Sequence, residues 1–450
     1  MKKALILAGG LGKRMHSPRP KVLHEILGKP IVRWVIDAAK KAGADEIGVV
    51  VGHGGKSVRD ILESDVKVYF QADQLGTADA VKSAMEFLEG RVAVLYGDAP
   101  LVKPSTVRRL LEGKADMTVL TAVLGKPDGY GRIVRKDGKI LKIVEDSDAT
   151  VDELRIREVN SGMYAFNAEA LKFALNRITP NNQKGEYYLT DAVDILLKEN
   201  KRVDAIKTEN ESEILGANTQ EELSTLFKIA REEILVSLMN SGVTIEDPMS
   251  TFVGPDTHIE PGVILKPFTF IYGNSFIASN VIIGPETTLF DTSVDEKSVI
   301  YRSECNGAKI GKNCSVGPFS RLRPGTILED GVKVGNYVEV KNSHLFESVK
   351  AQHLTYLGDA TVGMGTNVGA GTITCNYDGK RKNKTIIGKN VFIGSNSALV
   401  APVEVGNNAL IGAGSVITSN VPAYALALGR ARQINKEGWV LKKMEANDEK

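Results

Sequence analysis

Cysteine is scarce in this 450-residue chain: three residues, Cys305, Cys314 and Cys375, scattered and without metal-ligand spacing. An odd, scattered set excludes a disulfide framework and fits a reducing compartment, so a cytoplasmic protein is expected. Charge of one sign is also lacking, with a net +2, which gives no reason to invoke nucleic acid or an acidic membrane surface as partner. Long hydrophobic runs are missing. No apolar stretch approaches the roughly 20 residues that span a bilayer. The start, Met1-Lys2-Lys3 and then Ala4 to Ala8, has an apolar core too short for a signal peptide. What remains is an ordinary globular composition, 42% hydrophobic and 25% charged, long enough for two or more domains. Glycine is abundant at 44 residues, as suits a chain that turns a corner every few positions.

In the second half an apolar residue returns every six positions: Ile387, Ile393, Leu399, Val405, Ile411 and Ile417. The same period runs from Val253 through Ile259, Leu265, Ile271, Ile277, Ile283 and Leu289. It runs again through Ile310, Val316, Leu322, Leu328, Val334 and Val340, then briefly at Val362 and Val368. A helix repeats near 3.6 and a strand at 2, so a sustained six fits neither alone. It predicts a parallel β-helix whose six-residue sides each send one large apolar residue inward. Breaks in phase are expected around 341–361 and 374–386, both rich in polar residues.

The first half alternates strand-like and helix-like segments. Ala4–Leu7, Ile47–Val51, Val66–Phe70 and Val92–Tyr96 read as buried strands, with helices over Ile31–Ala42 and Ala78–Leu88. The alternation predicts a mostly parallel sheet covered on both faces, with ligands at the carboxyl ends of its strands. Glu221–Asn240 carries one long apolar stripe and reads as a connecting helix, stopped by Ser241-Gly242.

After the first strand comes Leu7-Ala8-Gly9-Gly10-Leu11-Gly12-Lys13-Arg14-Met15, followed by Pro20-Lys21. Such glycines let backbone N–H groups approach a polyphosphate, and Arg14 and Lys21 add positive charge. The loop lacks both the Gly-x-Gly-x-x-Gly dinucleotide fingerprint and the Gly-Lys-Ser/Thr of a P-loop. Asp98 ends an apolar strand at Leu95-Tyr96-Gly97, where an aspartate serves either as a helix cap or as a ligand of a hard divalent ion.

Gly10 to Met15 with Pro20-Lys21 resembles the Gly-x-Gly-x-Arg-Met…Pro-Lys signature of the sugar-1-phosphate nucleotidyltransferases. More narrowly, Pro20-Lys21-Val22-Leu23-His24, Gln74-Leu75-Gly76-Thr77-Ala78, Tyr96-Gly97-Asp98 and Gly185-Glu186-Tyr187-Tyr188 resemble one family, over essentially the whole chain. It is the bacterial bifunctional N-acetylglucosamine-1-phosphate uridyltransferase/glucosamine-1-phosphate N-acetyltransferase family. The resemblance implies an α/β chain with three parts. These are a Rossmann-like nucleotidyltransferase domain over 1–220, a linker helix over 221–241, and a left-handed β-helix of hexapeptide repeats with a C-terminal tail over 242–450. It implies UTP binding by Leu7, Ala8, Gly9, Gly10, Arg14, Lys21, Gln71, Gly76, Thr77, Tyr96, Gly97 and Asp98. Gln71, Gly76 and Thr77 would read the uracil edge. Gly131, Glu145 and Asn160 would hold the sugar and ribose hydroxyls, and Asp98 with Asn218 would hold Mg²⁺. Gly9 stands where the family commonly has Ala, and Lys13 where it commonly has Thr.

Of the six histidines (16, 24, 53, 258, 344 and 353), only His353 lies in a polar cluster, His353-Leu354-Thr355-Tyr356-Leu357-Gly358. Spacing alone leaves a structural role open. By resemblance it is the general base that takes a proton from the attacking amine, work suited to an imidazole near neutral pH. The resemblance further implies that Arg323, Lys341, Tyr356, Asn367, Asn376 and Tyr377 face the amino-sugar phosphate. Ala370, Lys382, Ser395, Ala413 and Arg430 would face acetyl-CoA, and three copies would assemble through the β-helix as a homotrimer. Two rival readings are a nucleotidyltransferase with a merely oligomerising or regulatory β-helix, and a non-enzymatic sugar-nucleotide-binding scaffold.

Overall fold

The computed structural model describes residues 1–10, 12–52 and 54–448; Leu11 of the glycine-rich loop, His53 and the last two residues of the tail lie outside it. The chain divides into two units, Met1–Glu233 and Ile234–Lys450, and the division falls within the helix Gln220–Asn240. None of the described helices is long and apolar enough to cross a membrane.

In the first unit the main sheet runs Val203–Lys207, Met117–Val123, Glu158–Asn167, Arg91–Tyr96, Lys2–Ala8, Glu46–Val51, Lys67–Phe70 across its width. Neighbours are parallel except at Glu158–Asn167, which is antiparallel to both of its own. Strand alternation shows why both faces are covered: Ala4, Ile6 and Ala8 enter one apolar core and Leu5 the other. The first core includes Val32, Val35 and Ile36 of the helix Ile31–Lys41. The expected helix over Ala78–Leu88 is shorter in the structure, Thr77–Lys82, followed by a separate tight turn, Met85–Phe87. The Ser83 hydroxyl donates to the Ala80 carbonyl at 2.7 Å, a local bond that competes with helix continuation.

The second unit is a parallel β-helix. Phe252 pairs with Phe270 and Phe270 with Thr288, a repeat of three six-residue sides per coil. Every residue of the period-six runs named above is buried. Corners stack in columns of left-handed backbone, one of which runs Phe268, Glu286, Arg302, Phe319, Tyr337 and Leu354.

One of the two expected interruptions is absent. Between Leu289 and Ile310 the array continues through Val294, Ile300 and Cys305, all fully buried, because single residues are missing at corners while each side keeps its inward residue. The expected break at 341–361 is likewise a regular coil, with Leu345, Ala351 and Leu357 facing inward. His353 and Tyr356 therefore sit on a strand, Lys350–Gly358, paired along Lys333–Lys341. Only the second interruption departs from the solenoid. His344 pairs with Thr361 but Thr361 with Ile386, so this coil is longer by eight residues. The surplus forms the loop between the strands Ile373–Cys375 and Thr385–Ile387. The tail carries a further helix, Trp439–Asp448.

Candidate functional site

The parallel strands of the first unit end at a cleft of about 290 Å³. Its lining includes Leu7, Ala8, Gly9, Gly10, Lys21, Gln71, Gly76, Thr77, Tyr96 and Asp98 from the sequence reading. Gln74 and Glu186 also line it, and neither was singled out as a site residue from the sequence. Gln71 is buried, and its Nε2 donates to the Asp79 carboxylate at 2.8 Å and to the Gly76 carbonyl at 3.2 Å. Those bonds leave Oε1 as its free acceptor. Gln74 Nε2 donates to the Gly9 carbonyl, tying this segment to the glycine-rich loop. Gly76 has φ 125°, and a Cβ there would lie 2.5 Å from the Tyr187 carbonyl oxygen, so only glycine lets the two loops meet. Tyr187 N–H in turn donates to the Leu75 carbonyl, at 2.7 Å. The Thr77 hydroxyl is engaged by Leu189 N–H at 3.0 Å.

At the polar end of the cleft, the Lys21 ammonium donates to Asp98 Oδ2 and, at 3.1 Å, to Asn218 Oδ1. A carboxylate and an amide oxygen from distant segments thus converge on one positive centre. These are the hard oxygen donors a divalent ion takes, with the ammonium as its stand-in. Ala217 N–H donates to the Asp98 carbonyl at 3.0 Å, which holds the two segments in place. Arg14 is exposed on the short turn Lys13–Met15 and does not line the cleft, nor does Gly97.

Of the predicted sugar residues, Asn160 lies on the main-sheet strand Glu158–Asn167, while Gly131 and Glu145 flank the side hairpin formed by Arg132–Lys136 and Lys139–Val144. Asn160 N–H donates to the Gly131 carbonyl at 2.8 Å, and Asn160 Nδ2 donates to the Tyr164 hydroxyl at 2.7 Å. Glu145 lines a second hollow with Asp148, Asn182, Tyr188, Thr190 and Asp191, and accepts from the Thr190 hydroxyl at 3.1 Å. Burial pushes the Glu145 carboxyl above its ordinary range. Burial, with Asp194, Glu145 and Asp148 close by, pushes Asp191 up to about 6. An acid whose folded pKa exceeds its unfolded value binds more protons when folded, so this strain is full above about pH 6 and relieved as pH falls toward the ordinary carboxylate range. The Asp191→Asn variant is therefore expected to melt above the parent at pH 7, with the gap closing toward pH 5 in calorimetric scans.

On the β-helix a group of cations gathers where the inserted loop meets the coils. The Lys382 ammonium lies against Lys341; that contact, then its charge, and further Arg323, hold the Lys341 pKa below its ordinary value. The resemblance assigned Lys382 to acetyl-CoA; the geometry sets it beside Lys341. Arg323 donates to Glu339 at 2.8 Å, a partner that nothing in the sequence had marked. The arrangement suits a phosphate monoester, whose charge would relieve the repulsion between the ammonium groups. Tyr356 and Asn376 stand beside it, the Asn376 amide 3.5 Å from the Tyr356 hydroxyl. Tyr377 is exposed on the loop, which is pinned by an antiparallel bridge to Lys382 and by Asp378 accepting from the N–H groups of Lys380 and Arg381.

His353 is exposed, its Nδ1 3.1 Å from Asn336 Oδ1 on the preceding coil. Leu354, with φ 46°, turns the chain between His353 and Tyr356. No hydrogen bond joins His353 or Asn367 to the cation group among the described residues. Ala370, Ser395, Ala413 and Arg430 stack in a single column at one corner. The Asn396 N–H donates to the Ala370 carbonyl at 2.7 Å, Gly414 N–H to Ser395 at 2.8 Å, and a Cβ on Gly414 would lie 4.0 Å from Arg430 Cδ. Cys375 is half-buried beneath the loop and Cys305 and Cys314 are buried.

Comparison with known proteins agrees with both halves. Residues 4–150 match the MobA-like NTP transferase domain. Residues 307–342 match the bacterial transferase hexapeptide (six repeats), and residues 384–419 the hexapeptide repeat of succinyl-transferase. A bifunctional protein GlmU of Fervidobacterium nodosum is 51% identical over 449 residues, covering 98% of each chain. The GlmU of Thermotoga maritima is 48% identical over 446 residues, covering 98% of this chain and 99% of its own. That of Acetivibrio thermocellus is 46% identical over 455 residues, covering 99% of both. With 46–51% identity over 98–99% of its length, the chain belongs to the family of bifunctional GlmU proteins.

Proposed function

We propose that this chain catalyses two successive group transfers in the synthesis of UDP-N-acetylglucosamine. Acetyl passes from acetyl-CoA to the amine of glucosamine-1-phosphate. UMP then passes from UTP to the resulting N-acetylglucosamine-1-phosphate, releasing pyrophosphate. The observation that carries the two-activity reading is the gathering of Arg323, Lys341 and Lys382 around Tyr356 and Asn376. A β-helix that only assembled copies would have no use for two ammonium groups, Lys341 and Lys382, set against each other at that point.

In acetyl transfer the amine nitrogen bonds to the thioester carbonyl carbon. His353 takes the proton released, the carbonyl re-forms, and the carbon–sulfur bond breaks with coenzyme A leaving as thiolate. Arg323, Lys341 and Lys382 hold the sugar phosphate. The column of Ala370, Ser395, Ala413 and Arg430 offers small residues for the acyl arm and one cation for the phosphates of acetyl-CoA. In uridyl transfer a sugar-phosphate oxygen attacks the α-phosphorus as the bond to pyrophosphate breaks. The nucleophile is already an anion, so no protein base is required; the work is alignment and charge neutralisation, to which Lys21 in the cleft contributes and Arg14, exposed on the loop beside it, would contribute only on swinging toward the phosphates. Mg²⁺, when held by Asp98 and Asn218 with the nucleotide phosphates, adds positive charge against the charge that builds up on them.

In this reading 1–220 is the uridyltransferase domain, 221–241 the linker helix and 242–450 a left-handed β-helix with its tail, acting in the cytoplasm as a homotrimer. Its support is that His353 and the cation group lie on either side of the Leu354 corner, as expected if copies complete each other's sites. Two assays test the function: thiol release from acetyl-CoA with glucosamine-1-phosphate, and pyrophosphate release from UTP with N-acetylglucosamine-1-phosphate. Uridyl transfer without acetyl transfer would end the two-activity reading. Mixed assemblies of His353→Ala and Lys382→Ala copies are expected to regain part of the acetyl transfer that each lacks alone; no recovery would argue for sites built within single chains.

A further inference from the structure

We propose that Asp359 is a positioning residue for acetyl transfer, acting by holding the Asn376 side-chain amide in one orientation; the inference rests on the acetyltransferase reading above. Asp359 follows the strand Lys350–Gly358 at a corner where its own φ is 51°. Its Oδ1 accepts from Asn342 Nδ2 and its Oδ2 from Asn376 Nδ2, both at 2.5 Å. The carboxylate therefore bridges side chains from the coils on either side of its own. Next to it, Gly358 leaves room for this arrangement: a Cβ there would lie 2.3 Å from the Tyr356 hydroxyl and 2.8 Å from Asn376 Nδ2.

A carboxylate only accepts hydrogen bonds, whereas an amide donates from one end and accepts at the other. Asp359 therefore decides which end of Asn376 faces inward. Turned over, the amide would set its carbonyl oxygen against the carboxylate and leave a nearly buried NH₂ group without a partner. In the orientation seen, Nδ2 lies between Asp359 and the Tyr356 hydroxyl, and Asn376 Oδ1 takes no hydrogen bond from the described residues. A free amide oxygen whose orientation is fixed in this way can accept from an N–H donor, which the amine of an amino sugar phosphate supplies. Asp359 also opposes the charges on Lys341. Removing its charge should then strengthen binding of the sugar phosphate while weakening the alignment of its amine.

The test is the Asp359→Asn variant, which keeps the size and the tolerance of left-handed backbone. For acetyl transfer kcat is expected to fall about tenfold to a hundredfold, the range for loss of one charge-assisted hydrogen bond. KM for glucosamine-1-phosphate should stay level or fall, and uridyl transfer should be unchanged. In an Asn376→Ala background the same change should lower kcat less than about twofold, because the two residues act as one unit. The Asn342→Ala variant removes the other bond to Asp359 and is expected to leave kcat within about twofold. A purely structural corner would make Asn342→Ala and Asp359→Asn alike, and that result would overturn the proposal. So would an unchanged kcat in Asp359→Asn, or losses that multiply in the double variant. If Asn376→Ala itself leaves acetyl transfer intact, the acetyl site has been read wrongly, an outcome separate from failure of Asp359 alone.

Discussion

Replacing His353 by alanine is expected to lower acetyl transfer about 10²–10⁴-fold, the range for loss of a positioned general base, while pyrophosphate release from UTP stays at the parental rate. The imidazole is exposed and stands across the strand pair from Asn336, with Nδ1 3.1 Å from the side-chain Oδ1 of Asn336. An amide oxygen can only accept, so this contact selects the tautomer with the proton on Nδ1 and leaves the Nε2 lone pair as the base. Asn336→Ala should accordingly reduce acetyl transfer by a smaller factor, because the neutral ring then samples both tautomers. Steady-state assays of both activities on one preparation decide the matter. If His353→Ala in folded protein removed both activities, or neither, the assignment of His353 to the acetyl site would fall.

Asp98→Ala is expected to show the reverse pattern, with uridyl transfer reduced by ~10²-fold or more and acetyl transfer retained. The scale follows from losing several kcal/mol of charge stabilisation at a phosphoryl centre. Asp98 and Asn218 converge on the Lys21 ammonium from separate segments, and removing the carboxylate leaves that ammonium with only the neutral Asn218 amide oxygen. The more conservative Asp98→Asn keeps shape and loses charge. It should therefore raise the Mg²⁺ concentration required for half-maximal rate along with lowering the rate itself. A variant with full uridyl transfer at ordinary Mg²⁺ would show that Asp98 serves only to anchor Lys21 and the following segment.

Particular residues show how far the sequence could be read. The glycine-rich loop, Lys21, Gln71, Gly76, Thr77 and Asp98 were recognisable as a nucleotide-phosphate site, and all of the named side chains line one cleft. Gln74 and Asp79, which fix the loop and the Gln71 amide, were not, because each reads as an ordinary polar residue until the segments are brought together. Gly9, in place of the alanine common in the family, has a visible consequence: a Cβ there would lie 3.0 Å from Gln71 Oε1. On the β-helix the sequence reading placed His353 and Tyr356 in an interruption. They occupy a regular strand, and only Asn376, Tyr377 and Lys382 belong to an inserted loop. Glu339 and Asp359 carried no signal at all, since outward positions on a coil follow no apolar period.

The sequence by itself determined the elements whose cause is local. Apolar runs at the period of a strand or of a six-residue side dictate which residues turn inward, and inward direction is a property of the backbone repeat. Which outward residues meet was decided only by the tertiary structure. Lys21 reaches Asn218 across 197 positions because parallel strands end at one edge of a sheet. Asn342, Asp359 and Asn376 come into line because successive coils stack residue on residue. That alignment depends on single residues missing at corners and on eight added in one coil, changes too small to disturb the apolar period yet large enough to decide which charges face each other.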